Sequence, residues 1–310
     1  MKGVILAAGK GSRLYPVTHH IAKPLLPMAN RMTMEYAFDR LKEMGVTEIC
    51  IVVGENEPEM RRALGDGSQF GVKLDFARQP EPLGLAHAVG FTKEFVAGDS
   101  FVLYLGDAIY GGGFAEHAAK FRESGCANLN IVKPVEDPRR FGVATVEGDR
   151  IVRLVEKPAE PESNLAMAGM YFFGPELWSV LPDLKPSGRG EYEITDAIQL
   201  MIDRGMDVRA GIYDNIWFDT GTLDSYLETT AFLTGGANII DATADVQAEI
   251  GENVVVGPGA KVSAKRLHDC VVLPGANVSA LGEISRALLG GTMTLEGDAR
   301  DTILWDGAPA

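Results

Sequence analysis

Val4-Ile5-Leu6-Ala7-Ala8-Gly9-Lys10-Gly11-Ser12-Arg13-Leu14 opens the chain with a short apolar run that passes directly into a glycine-rich loop. Val4-Ile5-Leu6 has no polar face, so the spacing predicts a strand buried on both sides. The loop behind it suits an anion. Gly9 and Gly11 let the backbone bend and bring N–H groups close to a ligand, and Arg13 adds a planar, permanently charged donor fork. Ten residues on, Lys23-Pro24-Leu25-Leu26-Pro27 offers a second cation stiffened by two prolines. The loop lacks the third glycine of a dinucleotide fingerprint and the Gly-Lys-Ser/Thr ending of a P-loop. Read alone, it is equally consistent with a tight strand-to-helix turn.

The same texture extends outward. Ile49-Cys50-Ile51-Val52-Val53 and Phe101-Val102-Leu103-Tyr104-Leu105 are further apolar strands. Between and beyond them Met34, Phe38 and Leu41, then Ala86 and Val89 on to Phe95, then Phe114, Ala118 and Phe121 carry helical spacing. Strands alternating with amphipathic helices predict an α/β, Rossmann-like domain over residues 1–235, with a mostly parallel sheet covered on both faces. Ligands of such a sheet sit at the carboxyl ends of its strands. Asp107 follows the strand that ends at Leu105, and Asp219 ends a strand-like run in Trp217-Phe218-Asp219-Thr220-Gly221-Thr222. Two carboxylates above a triphosphate suit Mg2+, which takes one or two of them beside phosphate oxygens. Either aspartate, taken singly, also reads as a helix N-cap.

Past Gly235 aromatic residues and long helical stripes nearly vanish. Ile250, Val256 and Val262 recur six apart, and Val272, Val278 and Ile284 repeat the spacing. This hexapeptide rhythm predicts a small left-handed β-helix over 236–310, with about four coils of about 18 residues. His268 stands there without companions for acyl transfer, so the module reads as a cap or an oligomerisation element.

Composition excludes several classes. Asp and Glu outnumber Lys and Arg by 43 to 29, a net charge of −14 that repels a nucleic-acid backbone. A phosphate site on such a chain must be built locally. No apolar run approaches the roughly 20 residues that span a bilayer, and the N-terminus does not read as a signal peptide. Cys50, Cys126 and Cys270 lie far apart with no CxxC spacing. They read as small buried hydrophobes of a reducing cytoplasm. Neither nucleic acid nor membrane is expected as a partner.

At this point the chain resembles the sugar nucleotidylyltransferases. Beyond the loop, the resemblance rests on Leu64-Gly65-Asp66-Gly67-Ser68-Gln69-Phe70-Gly71, Gln79-Pro80-Glu81-Pro82-Leu83-Gly84-Leu85-Ala86, Arg140-Phe141-Gly142-Val143 and Glu156-Lys157-Pro158. It continues through Gly169-Met170-Tyr171-Phe172, Arg189-Gly190-Glu191-Tyr192-Glu193-Ile194-Thr195-Asp196 and the Asp219 segment, colinear over about 230 residues. The segment past 235 lies outside it and is similar to the β-helical extensions of some longer relatives.

The resemblance implies that Ala8, Gly9, Gly11, Ser12 and Arg13 line the nucleotide. Arg13 and Lys23 would act on the triphosphate, with Mg2+ on Asp107 and Asp219. Gln79 would meet the base edge, with Gly84 giving access to the backbone. Gly142 and Glu156 would hold sugar hydroxyls, Lys157 the sugar phosphate, and Phe141 and Met167 the pocket wall. Alone, Gln79 also reads as an exposed loop residue and Glu156-Lys157 as a solvated charge pair. The implied substrates are dTTP, with UTP second, and glucose-1-phosphate, with pyrophosphate released and a homo-oligomer as the assembly. Ala8, Pro24, Ala108 and Arg31-Met32 depart from most dTTP-using members, and Ala8 and Pro24 are commoner in uridylyl- and adenylyl-transferring ones. A nucleotide-sugar sensor without catalysis and a bifunctional acetyltransferase are the competing classes.

Overall fold

Among the residues described by a computed structural model of the chain, 1–306, nine strands form the main sheet. The last four positions of the 236–310 segment lie outside the described residues. The strands are β1 (Lys2–Leu6), β2 (Glu48–Val53), β3 (Lys73–Arg78), β4 (Phe101–Leu105), β5 (Asn128–Pro134), β6 (Gly142–Glu147), β7 (Arg150–Glu156), β8 (Leu165–Phe173) and β9 (Val208–Ile212). Their order is β3-β2-β1-β4-β8-β5-β9-β7-β6. From β3 to β4 every pairing is parallel. Beyond β4 the sheet is mixed, because β8 runs antiparallel to both β4 and β5 and β6–β7 is an antiparallel hairpin. The expected parallel sheet therefore describes the half that carries the glycine-rich loop. In the other half β8 and most of β5 stay buried, while the strands toward its far edge carry polar residues on one side, as along β7, where Arg150, Val152 and Arg153 are exposed and Ile151 and Leu154 buried. Such a one-sided strand is what an antiparallel edge tolerates.

Strands β1, β2 and β4 are largely apolar on both faces and are covered on both, while the edge strand β3 exposes Lys73, Asp75 and Arg78. Val4, Leu6 and Val52 share a core with Ala86, Ala88 and Val89 of the helix Leu85–Gly90, and with Ile194, Ala197, Ile198 and Met201 of the helix Ile194–Asp203. On the opposite side Gly3 lies against Leu41 and Val46. Leu41 belongs to the helix Thr33–Glu43, in which Met34, Phe38 and Leu41 are the buried stripe predicted from their spacing. The helical pattern from Ala86 to Phe95 is realised as two pieces, Leu85–Gly90 and Lys93–Val96.

By its internal contacts the chain forms two compact units. One comprises 1–9 and 36–217, the other 10–35 and 218–310. The second unit includes β10 (Asp245–Ile250), β11 (Val254–Val256), β12 (Lys261–Val272), β13 (Asn277–Ala280), β14 (Glu283–Leu295) and β15 (Ala299–Asp306), all paired in parallel. Three ladders stack along it: Val246, Val262, Val278 and Met293; Ile250, Leu267, Ile284 and Ala299; Val256, Val272, Leu289 and Leu304. The registers advance 16 residues at Val246↔Val262, 17 at Ile250↔Leu267 and 15 at Val278↔Met293. A coil is thus shorter than expected from the hexapeptide rhythm. Six-residue sides are mixed with shorter ones, such as the five residues from Val262 to Leu267 and the four from Leu289 to Met293, so counting sixes overestimates the turn. The ladder side chains are its core, and Cys270 sits among them with burial pushing its thiol up to about 12. His268 accepts the Glu252 N–H at Nδ1, 3.3 Å away, which gives this histidine a structural employment.

Candidate active site

In the first unit the strand order reverses at β1, which leads to β2 on one side and has β4 on the other. Outside the carboxyl ends of β1 and β4 lies the crevice where a sheet of this kind takes a ligand. Leu6 pairs with Leu105, so the loop beginning at Ala7 and the Gly106-Asp107 pair leave the sheet side by side. Gly106 donates its N–H to the Leu6 carbonyl at 3.0 Å, and Ala7 donates to Val52 at 2.8 Å. Asn56 donates its side-chain amide to the Ala7 carbonyl at 2.9 Å and accepts the Gly54 N–H at 2.9 Å. No motif marks Asn56; the available signal is its place two residues after Gly54 at the same carboxyl edge. Asp107 is half-buried and is followed by the strand Ala108–Tyr110, so it caps no helix. The Tyr104 hydroxyl, donating to the Ala108 carbonyl at 2.8 Å, fixes the turn in which it stands.

Gln79 directly follows β3 and is 6% exposed, which removes its reading as an exposed loop residue. Its side-chain nitrogen lies 3.1 Å from the Gly84 carbonyl and 3.0 Å from His87 Nδ1. His87, which no local pattern singles out, is therefore the group that orients Gln79. Gly84 has φ +110°, and a Cβ there would stand 2.5 Å from the Tyr192 carbonyl oxygen. Its missing side chain admits the Tyr192 backbone, which donates to Leu83 and accepts from Ala86. Gly84→Ala is expected to cost about 2–4 kcal/mol, the sum of a left-handed penalty and an overpacked contact with rigid backbone. Urea unfolding measures it; a variant as stable as the parent would show that the Tyr192 segment gives way freely.

A third group in this unit gathers Phe141, Gly142, Glu156, Lys157 and Met167. A Cβ at Gly142 would fall among Thr195, Met167 at 3.1 Å and Glu156 at 3.3 Å. Glu156 is more than a solvated partner of Lys157. Its Oε2 accepts from the Thr195 hydroxyl at 3.1 Å, while Oε1 lies 3.4 Å from Lys157 Nζ and 3.6 Å from Arg189. Arg189 also donates to buried Glu193 at 2.7 Å. Burial, then the Glu193 and Glu156 charges, push Asp196 above the usual carboxylate range. Lys157 has φ +44°, a left-handed backbone that costs a non-glycine residue about 1–2 kcal/mol. Strain of this kind concentrates at working sites. Phe141 packs on Trp217 with ring centroids 5.0 Å apart, and Met167 is buried. Thr195 and Arg189 lie within the resemblance but carry no role from it, because nothing local in the sequence links them to Glu156.

The second unit holds Gly11, Ser12, Arg13, Lys23 and Asp219. Gly11 is left-handed at φ +64° and its carbonyl accepts from the Thr18 hydroxyl at 2.8 Å. After it the chain makes a single 3-10 turn, Ser12–Leu14, not the start of an α-helix. Lys23 packs its stem 3.1 Å from where a Cβ of Gly11 would be. Arg13 Nη1 lies 4.0 Å from Asp219 Oδ2, and the guanidinium rests on Gly221, where a Cβ would overlap it. Asp219 is not the cap of the helix Leu223–Thr234. Thr222 is, in a reciprocal pair with Ser225. Among the described residues no cluster of three or more His, Cys, Asp or Glu could hold a metal. Asp107 and Asp219 are hard oxygen donors of the kind Mg2+ accepts when phosphate oxygens complete its shell.

Residues 2–236 match the model of the family described as nucleotidyl transferase. The low-salt glycan biosynthesis nucleotidyltransferase Agl11 of Haloferax volcanii is 42% identical over 263 residues, 82% of this chain and 73% of that protein. A glucose-1-phosphate thymidylyltransferase of Streptomyces antibioticus is 39% identical over 270 residues, 86% of this chain and 76% of its own. Among solved structures, a candidate glucose-1-phosphate thymidylyltransferase from Bacillus anthracis in complex with sucrose superposes with a TM-score of 0.71 at 35% identity, covering 78% of this chain and 98% of that one. A UDP-glucose pyrophosphorylase complexed with UDP-glucose shares the fold at a TM-score of 0.69 and 24% identity, over 76% of this chain and 98% of its own.

Proposed function

Because the chain belongs to the nucleotidyl transferase family, we propose that it transfers the nucleotidyl group of dTTP to glucose-1-phosphate, giving dTDP-glucose and pyrophosphate. The observation that carries this reading is the emergence of the Ala7-Ala8-Gly9 loop and Asp107 side by side at the reversal of strand order. The nucleophile arrives as an anion. A sugar-phosphate oxygen bonds to the α-phosphorus, the bond from that phosphorus to the bridging oxygen breaks, and pyrophosphate leaves with the electron pair. No side chain need take a proton, so catalysis is positioning and electrostatics.

Ala8, Gly9, Gly11 and Ser12 offer the triphosphate backbone and hydroxyl donors. Arg13 and Lys23 neutralise charge that builds on the α-phosphorus and the leaving group. Gln79 meets the base; His87 and Gly84 hold its amide nitrogen, which leaves the amide oxygen to face the ligand. Glu156 and Gly142 hold sugar hydroxyls, Lys157 takes the sugar phosphate, and Phe141 and Met167 close the sugar pocket. Asp107 and Asp219 hold Mg2+, which when bound supplies further neutralisation of phosphate charge. Residues 1–235 are the transferase domain, and 236–310 a short left-handed β-helix. The enzyme is a cytoplasmic homo-oligomer on this reading; no helix of the described residues is long and apolar enough to cross a membrane.

The test is pyrophosphate release with glucose-1-phosphate and Mg2+, run in parallel with dTTP, UTP, ATP, CTP and GTP. The highest kcat/KM is expected with dTTP. A preference for UTP, the second reading that Ala8 and Pro24 favour, would keep the chemistry and change the base. Silence with every nucleotide and sugar phosphate would sink the assignment.

A further inference from the structure

The Arg13–Lys23 segment and the C-terminal coils belong to one compact unit. Within it, the His20 imidazole stacks on the Trp305 indole, with ring centroids 4.5 Å apart and planes within 9° of parallel. The coils make room for that indole. Gly290 pairs with Trp305 across β14 and β15, and a Cβ at Gly290 would overlap the ring. A second tie is the hairpin Pro27–Met28/Arg31–Met32, whose Asn30 donates its amide to the Val256 carbonyl on β11 at 3.4 Å. A third is Tyr226, fully buried on the helix after Asp219, which donates its hydroxyl to the Pro27 carbonyl. That helix is itself tied to the coils, because Arg286 pairs with its Asp224 and with Asp269 and Asp301.

We infer that the C-terminal coils are the mounting of the loop that carries Arg13 and Lys23, with His20 and Trp305 as a positioning pair. The inference rests on the proposed roles of Arg13 and Lys23 in handling the triphosphate. His20 stands three residues before Lys23, and Asn30 and Pro27 follow it closely, so the ties bracket the lysine. The backbone hydrogen bonds within the 11–26 loop all close turns of three or four residues, and a segment held only by such local turns opens locally unless packing holds it. A ring stack fixes both position and tilt. A function for the coils follows that needs neither acyl transfer nor a second subunit.

The test uses full-length Trp305→Ala, Trp305→Phe, His20→Ala and the double variant His20→Ala/Trp305→Ala. Amide hydrogen exchange in 10–35 is expected to speed up about tenfold or more in Trp305→Ala, with β1, β2 and β4 unchanged. The same variant is expected to raise KM for the nucleotide and lower kcat by about tenfold, with KM for the sugar phosphate unmoved. Trp305→Phe keeps a ring over His20 and restores both. The double variant is no worse than the worse single one, as for two residues sharing one interaction. His20→Ala leaves the coils untouched and carries the test should Trp305→Ala unravel the last strand. Unchanged exchange in 10–35, or faster exchange spread evenly over both units, overturns the inference. Should the parent protein release no pyrophosphate, the proposed reaction falls, and the exchange pattern alone decides the mounting.

Discussion

Arg13→Ala is expected to lower kcat by about 10²–10³-fold, the loss that follows removal of one preorganised group from developing negative charge. Its melting temperature is expected to stay close to that of the parent. The side chain is 53% exposed and its pairing with Asp219 spans 4.0 Å. An exposed pair of that length contributes about 0–1 kcal/mol. The residue is therefore dispensable for folding, and its chemistry is what the assay isolates. Arg13→Lys separates two properties: it keeps the charge but loses the planar fork, so partial recovery of turnover is expected. Ser12 and Arg13 lie at the exposed start of a 3-10 turn whose Leu14 is fully buried, which anchors the turn without the guanidinium. Near-normal turnover in Arg13→Ala would take this residue out of the catalytic machinery.

Asp107→Asn and Asp219→Asn are expected to cost turnover by about 10²–10³-fold, because on the proposed assignment each removes a charged oxygen that would hold a hard divalent cation. Asparagine keeps the size of aspartate, so packing around the half-buried Asp107 and the 30% exposed Asp219 is preserved. The informative readout is turnover against Mg2+ concentration. A lost ligand shifts that curve to higher metal and lowers its plateau, while excess EDTA silences the parent enzyme reversibly. A variant with the parent's metal dependence would show that its carboxylate is no ligand. Asp219→Asn carries a second consequence. It frees Arg13 from its partner, so the charge at the loop becomes more positive, and tighter binding of the triphosphate in the absence of metal is expected from Coulomb attraction.

Parts of the fold and the site are legible in the residues alone. The parallel half of the sheet announces itself because a strand buried on both faces must be apolar throughout, as Val4-Ile5-Leu6 and Ile49-Cys50-Ile51-Val52-Val53 are. Asp107 is placed at a carboxyl edge by its closeness to Leu105. The antiparallel half is less legible: β6 and β7 are half-exposed, and although they pair with each other as a local hairpin, their place in the sheet is set by strands farther along the chain, through Ala166 with Val143 and Arg209 with Arg150. Bonds that orient the site residues leave no local mark. Thr195 reaches Glu156 across 39 positions, and Asn56 reaches Ala7 across 49. The hexapeptide rhythm locates the coils and their inward-facing residues. It overestimates the coil length, because the corner geometry that shortens a side leaves no periodic trace.

What the sequence determines by itself is what depends on neighbours along the chain: which runs are strands, where the backbone turns, which residue types can hold a phosphate. Burial and backbone preference act within a few residues, so they are written locally. The tertiary structure decides the rest: that β4 lies beside β1, that His87 holds Gln79, that Arg13 rests against Gly221, and that the coils at the end of the chain grip the loop near its beginning. Those are contacts between distant residues, and they form only when packing selects one strand order from the many that the same local pattern allows.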